Sequence, residues 1–252
     1  MASVRDQVSE AEWQTRVDLA AAYRLIARNG WDDGIFTHNS ARVPGTADQF
    51  LINPYGLLFE EITASCLVKV NMDGTLIDAD EDTDIIDAGF TIHSGVLEAR
   101  PDVQSVMHTH TTAGMAVSAQ KDGLLPLTQK SLRFYNRVAY HDYEGIADDL
   151  DERERLARDL GDKSSIILRN HGLLTAGSTV AEAYDLLRRL EHSCAAQVAA
   201  QAGGGELTIP SAEVCEHTAR QYDSSGNNQK SSEATFAAYK RSLDRDDPSY
   251  AT

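Results

Sequence analysis

Ser105-Val106-Met107 runs directly into His108-Thr109-His110-Thr111, an apolar approach of the kind a buried strand makes, ending in two imidazoles one residue apart. Side chains alternate along a strand, so residues i and i+2 project to the same face. His108 and His110 can therefore reach one ion from a single rigid backbone, and neutral imidazole is a common ligand for zinc and similar divalent cations. A catalytic site also needs a third ligand and an open position. The segment Ser165-Ile166-Ile167-Leu168-Arg169-Asn170-His171-Gly172 repeats the form. A short apolar run again ends in a histidine, and the following glycine lets another backbone come close. Three imidazoles leave one position for water or substrate.

Helical and strand periods alternate along the chain. Ser9 to Asn29 reads as an opening helix, capped by Ser9 with Glu12 three residues on and stopped by Gly30. Strand-like runs follow at Ile35 to Val43, Phe50 to Asn53 and Cys66 to Asn71, separated by turn chemistry at Pro44-Gly45, Asn53-Pro54-Tyr55-Gly56 and Asp73-Gly74. From Asp84 to Glu98, Ile85, Ala88, Ile92 and Val96 describe a helical face that ends at Arg100-Pro101-Asp102 and feeds the His108 strand. An exposed helix over Asp151 to Leu160 feeds the strand Ser165 to Arg169. Val180 to Ala200 is a long helix with a buried stripe of Ala183, Leu186, Leu187, Leu190 and Cys194. Two further helices, Ser211 to Tyr222 and Ser232 to Leu243, flank a polar loop from Asp223 to Lys230. The organisation expected is one domain over residues 1–205. A C-terminal helical arm, 206–252, follows the flexible Gly203-Gly204-Gly205 and packs on that domain or on a neighbouring subunit.

Composition narrows the function classes. With 39 acidic against 23 basic side chains the net charge is −16, which repels a nucleic-acid backbone and an anionic membrane face. Lys130, Arg133 and Arg137 form the one notable basic cluster and read as a solvated face. Three widely spaced cysteines, Cys66, Cys194 and Cys215, with no CxxC suggest neither a disulfide framework nor a thiolate metal site, which fits a reducing cytoplasm. Asp6, Glu10, Glu12 and Asp18 argue against a secretory leader, and no apolar run is long enough to span a bilayer.

The segments Ala99-Arg100-Pro101-Asp102 through His108-Thr109-His110 and Leu168-Arg169-Asn170-His171-Gly172-Leu173-Leu174-Thr175 resemble the class II aldolase and adducin family. The similarity extends to Phe90-Thr91-Ile92-His93-Ser94, Thr37-His38-Asn39-Ser40-Ala41-Arg42 and Ile52-Asn53-Pro54-Tyr55-Gly56, in the family's order. The resemblance implies a three-layer α/β/α sandwich around a mostly antiparallel central sheet. It also implies a homotetramer with active sites between subunits, and one divalent metal per subunit on His108, His110 and His171. Zn2+ is the first expectation for that ion, and Mn2+, Fe2+ and Co2+ suit the same ligands. Its role would be that of a Lewis acid stabilising an enolate or enediolate as a carbon–carbon bond breaks.

Two departures shape the chemistry expected. The sugar-phosphate aldolases of the family carry a catalytic glutamate four residues before the helix histidine, and counting back from His93 gives Gly89. Their phosphate grip falls on Thr37-His38 and Asp87-Ala88, where a carboxylate would repel the anion. The reading is a metal-dependent lyase acting on a small non-phosphorylated hydroxy or oxo acid, with decarboxylation ahead of aldol cleavage. The alternatives are a non-haem iron oxygenase on the same scaffold and a non-catalytic adducin-like interaction protein. Against the latter, a purely structural descendant has no need of three imidazoles aimed at one point. His38 and Asn39 are candidates to meet a substrate carboxylate or, for Asn39, to satisfy a turn. Gln129 as a substrate contact and Lys130 as a catalytic residue fall at or beside the place of an aldolase tyrosine acid. His93 reads as a hydrogen-bonded core histidine, Tyr140-His141-Asp142-Tyr143 as a rim of the site or a strand with its turn, His192 and Cys194 as helix packing, and His217 as exposed.

Overall fold

A computed structural model describes residues 3–77, 79–80, 82–146, 150–224 and 228–252. After a single turn α1 (Val4–Gln7), helix α2 (Glu10–Arg28) begins where the capping pattern places it, Ser9 Oγ accepting from Glu12 N at 3.1 Å. Gly30, at φ +65°, ends it. Strands β1 (Asn39–Arg42), β2 (Gln49–Ile52), β3 (Val68–Asn71) and β4 (Leu76–Ile77) form an antiparallel meander. Helix α3 (Asp87–Ala99) leads into β5 (Ser105–Thr109), followed by the short helices α4 (Thr112–Ser118) and α5 (Gln129–Leu132) and strand β6 (Ala139–His141). Then come α6 (Glu152–Leu160), β7 (Ser165–Leu168), β8 (Gly172–Gly177), α7 (Val180–Ala202), α8 (Ala212–Ser224) and α9 (Asn228–Asp246).

The eight strands lie in the order β4-β3-β2-β1-β5-β8-β7-β6, and every pair except the parallel β6–β7 is antiparallel. Alternation along each strand feeds two cores. Leu51, Met107, Ile167 and Leu173 join Leu25 of α2, Leu187 of α7 and Phe236 of α9 on one face. Phe50, Val106, Ile166 and Leu174 join Ile92 of α3 and Leu156 of α6 on the other. The α/β/α sandwich expected from the resemblance is therefore the fold observed. The C-terminal residues return to the same chain, α9 against α7 and α2, with Tyr250 buried and its carbonyl accepting from Ala64 N at 2.8 Å. None of the described helices is long and apolar enough to cross a membrane.

The structure corrects several local expectations. The strand expected over Ile35 to Val43 begins only at Asn39, because Phe36 N bonds Asp33 O at 3.0 Å and turns the chain at Gly34, whose φ is +55°. Strand β8 is hidden in sequence because glycines bound it and its apolar core is short, yet pairing with both β5 and β7 makes it central. Tyr140 and His141 belong to β6, the strand alternative for that cluster. Part of the loop expected from Asp223 to Lys230 lies outside the described residues, and α9 starts at Asn228.

Candidate metal centre

Strand β5 stops at Thr109, one residue short of His110, and Thr111 caps α4 by accepting from Gly114 N at 2.9 Å. Alternation still carries both imidazoles to the α3 side, where Val106 also points. His171 comes from the hairpin between β7 and β8, in which Leu168 pairs with Gly172 and Asn170 takes the left-handed conformation at φ 56°. Gly172 is required there: a Cβ would stand 2.3 Å from Thr109 O and 3.1 Å from His110 Cδ2. The close approach inferred from sequence is thus the contact that seats the third histidine beside the other two.

The three rings meet through their Nε2 atoms, at 2.7 Å between His108 and His110 and 2.8 Å between His171 and His110. Among the described residues these are the only three potential ligands gathered within 4.8 Å of one another. Their outer nitrogens show which inner lone pairs are free. His108 Nδ1 lies 2.9 Å from Leu173 O, an acceptor only, so Nδ1 carries the proton and Nε2 a lone pair. His110 Nδ1 faces Asp33 Oδ2 at 3.1 Å and is assigned the same way. Two lone pairs then oppose each other at 2.7 Å, a contact that a cation between them relieves. Burial, and after it His171 and His110, holds His108 well below its usual pKa, and burial brings His171 down to about 4, so both favour the neutral, lone-pair-bearing ring. The donor set fits a divalent metal: three neutral imidazoles, a carbonyl and a carboxylate orienting two of them, and partial exposure of His110 and His171 on the open side.

His38 packs against this cluster, its ring stacked on His108 with centroids 5.1 Å apart. Its Nδ1 meets His93 Nε2 at 2.8 Å, and His93 Nδ1 in turn meets Ser40 Oγ. His93 is fully buried and hydrogen-bonded, as its place on the apolar face of α3 suggests, and burial lowers it to about 3. Burial, then His93, keeps His38 well below its ordinary value as well. The His38 ring also fills the space in front of Gly89, since a Cβ there would lie 2.8 Å from its Cδ2 and 2.9 Å from its Cγ. A glutamate at 89 and His38 as placed exclude each other.

Asn39 sits on the opposite face of β1 and is fully buried, its Oδ1 accepting from His108 N at 3.3 Å, so its contact is with the backbone of a candidate ligand. Gln129 and Lys130 are exposed on α5. Tyr222 OH donates to Gln129 O at 3.3 Å, and Lys130 Nζ donates to His192 Nδ1 at 3.0 Å; neither contact reaches the histidine cluster. Cys194 is core packing and His217 is exposed. Sequence reasoning missed Asp33, the Leu173 carbonyl and Glu191. The signal for Glu191 was an acid four residues after Leu187, in line with the buried stripe of α7.

Residues 17–198 match the model of the class II aldolase and adducin N-terminal domain. An aldolase II superfamily protein from Pseudomonas syringae superposes with a TM-score of 0.93 at 54% identity over the whole of both chains. L-fuculose 1-phosphate aldolase from Glaciozyma antarctica superposes with a TM-score of 0.81 at 30% identity, covering 97% of this chain and 94% of that one. Alpha-adducin of Rattus norvegicus is 45% identical over 192 residues, 75% of this chain but 26% of its own length. The chain belongs to the class II aldolase and adducin N-terminal domain family.

Proposed function

We propose that this protein is a divalent-metal-dependent carbon–carbon lyase acting on a small, non-phosphorylated hydroxy or oxo acid, decarboxylation being favoured over aldol cleavage. The observation that carries the reading is the convergence of the His108, His110 and His171 Nε2 atoms, two of them with lone pairs fixed by partners behind the ring. A divalent ion held there, Zn2+ in the first instance, would supply Lewis-acid stabilisation of the charge left on oxygen as the carbon–carbon bond breaks.

The residues around the cluster support the choice of substrate. Where the resemblance to sugar-phosphate aldolases calls for a glutamate, Gly89 leaves the room to His38, a neutral imidazole that can hydrogen-bond a carboxylate without repelling it. Asp87, exposed in the first turn of α3, opposes a phosphate where those enzymes hold one. Loss of CO2 needs no base to remove a proton from carbon, which suits a site without that glutamate. Phe36, two residues before His38 in the chain, and Met115 of α4, five after His110, are exposed apolar side chains, and they support assembly, as a tetramer in this reading, with a second subunit closing each site. Lys130 and Gln129, which make no hydrogen bond with the three histidines among the described residues, would then act across such an interface.

Similarity to alpha-adducin favours a second reading, a non-catalytic interaction module. Turnover of the metal-loaded protein against hydroxylated aromatic acids, oxo acids and free sugars, with CO2, aldehyde and O2 consumption all followed, tests the choice. CO2 or aldehyde release that His110→Ala abolishes together with bound metal is expected. A stable protein that binds no metal removes the enzyme reading, and iron-dependent O2 consumption with no anaerobic turnover removes the lyase in favour of the oxygenase.

A further inference from the structure

Glu191 of α7 is 2% exposed, and its partners among the described residues are two hydroxyls of the histidine segment. Thr109 Oγ1 donates to Oε1, and Thr111 Oγ1 donates to Oε2 at 2.6 Å. The alternation that sends His108 and His110 to the α3 side sends Thr109 and Thr111 to the α7 side, so one carboxylate grips the residues between and after the two imidazoles. The Thr111 hydroxyl is used in both directions, accepting from Gly114 N at 2.9 Å while it donates to Glu191. Asn39 Oδ1 holds His108 N from the same side.

A carboxyl group buried without a cationic partner is costly, and a leucine would continue the apolar stripe of Leu187, Leu190 and Cys194. The arrangement gains something a leucine cannot provide: two directional bonds that fix the backbone at the point where β5 ends and ordinary ladder pairing stops. Beyond Thr109, Glu191 anchors Thr111 on one side of His110, whose ring is held on its own side by Asp33.

We propose that Glu191 is a positioning residue that sets the relative placement of the His108 and His110 imidazoles, and with it the affinity and geometry of the metal site. The proposal rests on the three-histidine reading above. The probe is Co2+ added to chelator-treated full-length protein, with affinity taken by competition with a chromophoric chelator and geometry from the visible d–d absorption. The variants are Glu191→Leu, Glu191→Gln, Thr109→Val and His110→Ala, each checked by circular dichroism.

Wild type is expected to bind one Co2+ and His110→Ala to lose it. Glu191→Leu and Thr109→Val should bind roughly 10–100-fold more weakly with a changed d–d band. Glu191→Gln, which keeps an accepting oxygen, should recover most of the affinity. A folded Glu191→Leu with wild-type affinity and spectrum overturns the proposal. If that variant does not fold, Thr109→Val decides in the same way. Failure of wild type to bind Co2+ removes the metal reading and this inference together; binding that depends on His110 but not on Glu191 or Thr109 removes the positioning role alone.

Discussion

Replacing Gly172 by alanine tests the packing that brings the third histidine to the cluster. The added Cβ would stand 2.3 Å from Thr109 O, about 1 Å inside an ordinary carbon–oxygen contact. The obstacle is backbone, so no side chain can swing aside, and the β7–β8 hairpin must move away from the end of β5. His171 is the adjacent residue and moves with it. Metal–imidazole bonds span only about 2.0–2.1 Å, so a shift of that size removes His171 from any shared ion. Overpacking of this kind costs about 1–3 kcal/mol, which for a chain of this size lowers the melting temperature by roughly 2–12 °C. Differential scanning calorimetry and metal stoichiometry by mass spectrometry give the two readouts. Gly203→Ala, whose Cβ meets nothing within 4 Å, is the control and should change neither. A Gly172→Ala protein with wild-type melting and wild-type metal content would refute the claim that this contact seats His171.

Gly89→Glu should destabilise the protein by about 1–3 kcal/mol, because the new Cβ meets a His38 ring pinned by His93. The double variant with His38→Gly should regain most of that loss in urea unfolding; equal stability of Gly89→Glu and wild type would show that the two positions do not compete. The pH dependence of stability follows from buried histidines. His93 has a native pKa of about 3 while the unfolded chain takes up a proton at its ordinary 6.5, so its contribution is complete above pH 6.5 and is lost as pH falls toward 3, at about 1.4 kcal/mol per unit. His38, lowered chiefly by burial, has the same sign. Glu191, raised by burial to about 7, has the opposite sign between its unfolded 4.5 and 7 but is a single group. The urea midpoint of the metal-free protein should therefore fall between pH 7.5 and pH 5, and a midpoint that rises on acidification would contradict this balance.

Much of the candidate site was legible without coordinates because its parts are encoded locally. Ser9 with Glu12 starts α2, and Ala88, Ile92 and Val96 recur at helical spacing along α3, which begins at Asp87 and so leaves out Ile85 of the expected face; an apolar run ending in His108-Thr109-His110 announced a strand, β5, that ends at Thr109 between the two imidazoles. Gly172 after His171 announced a close approach, although not the atom approached. Asn39 was less legible, since its residue type suits a substrate contact equally well as the backbone contact it makes with His108.

The chain by itself thus determined which elements form and which imidazoles are available as ligands, since strand and helix periods and turn chemistry act over a few neighbouring residues. Only the tertiary structure decided what those imidazoles face. The order β1-β5-β8-β7 brings His38, His108 and His171 together from three parts of the chain, sets Leu173 O behind His108, and turns Thr109 and Thr111 toward Glu191. It also places His38 where a side chain on Gly89 would go. These contacts join residues far apart in sequence, and each exists only in one register of a sheet packed on both faces, which no local pattern records.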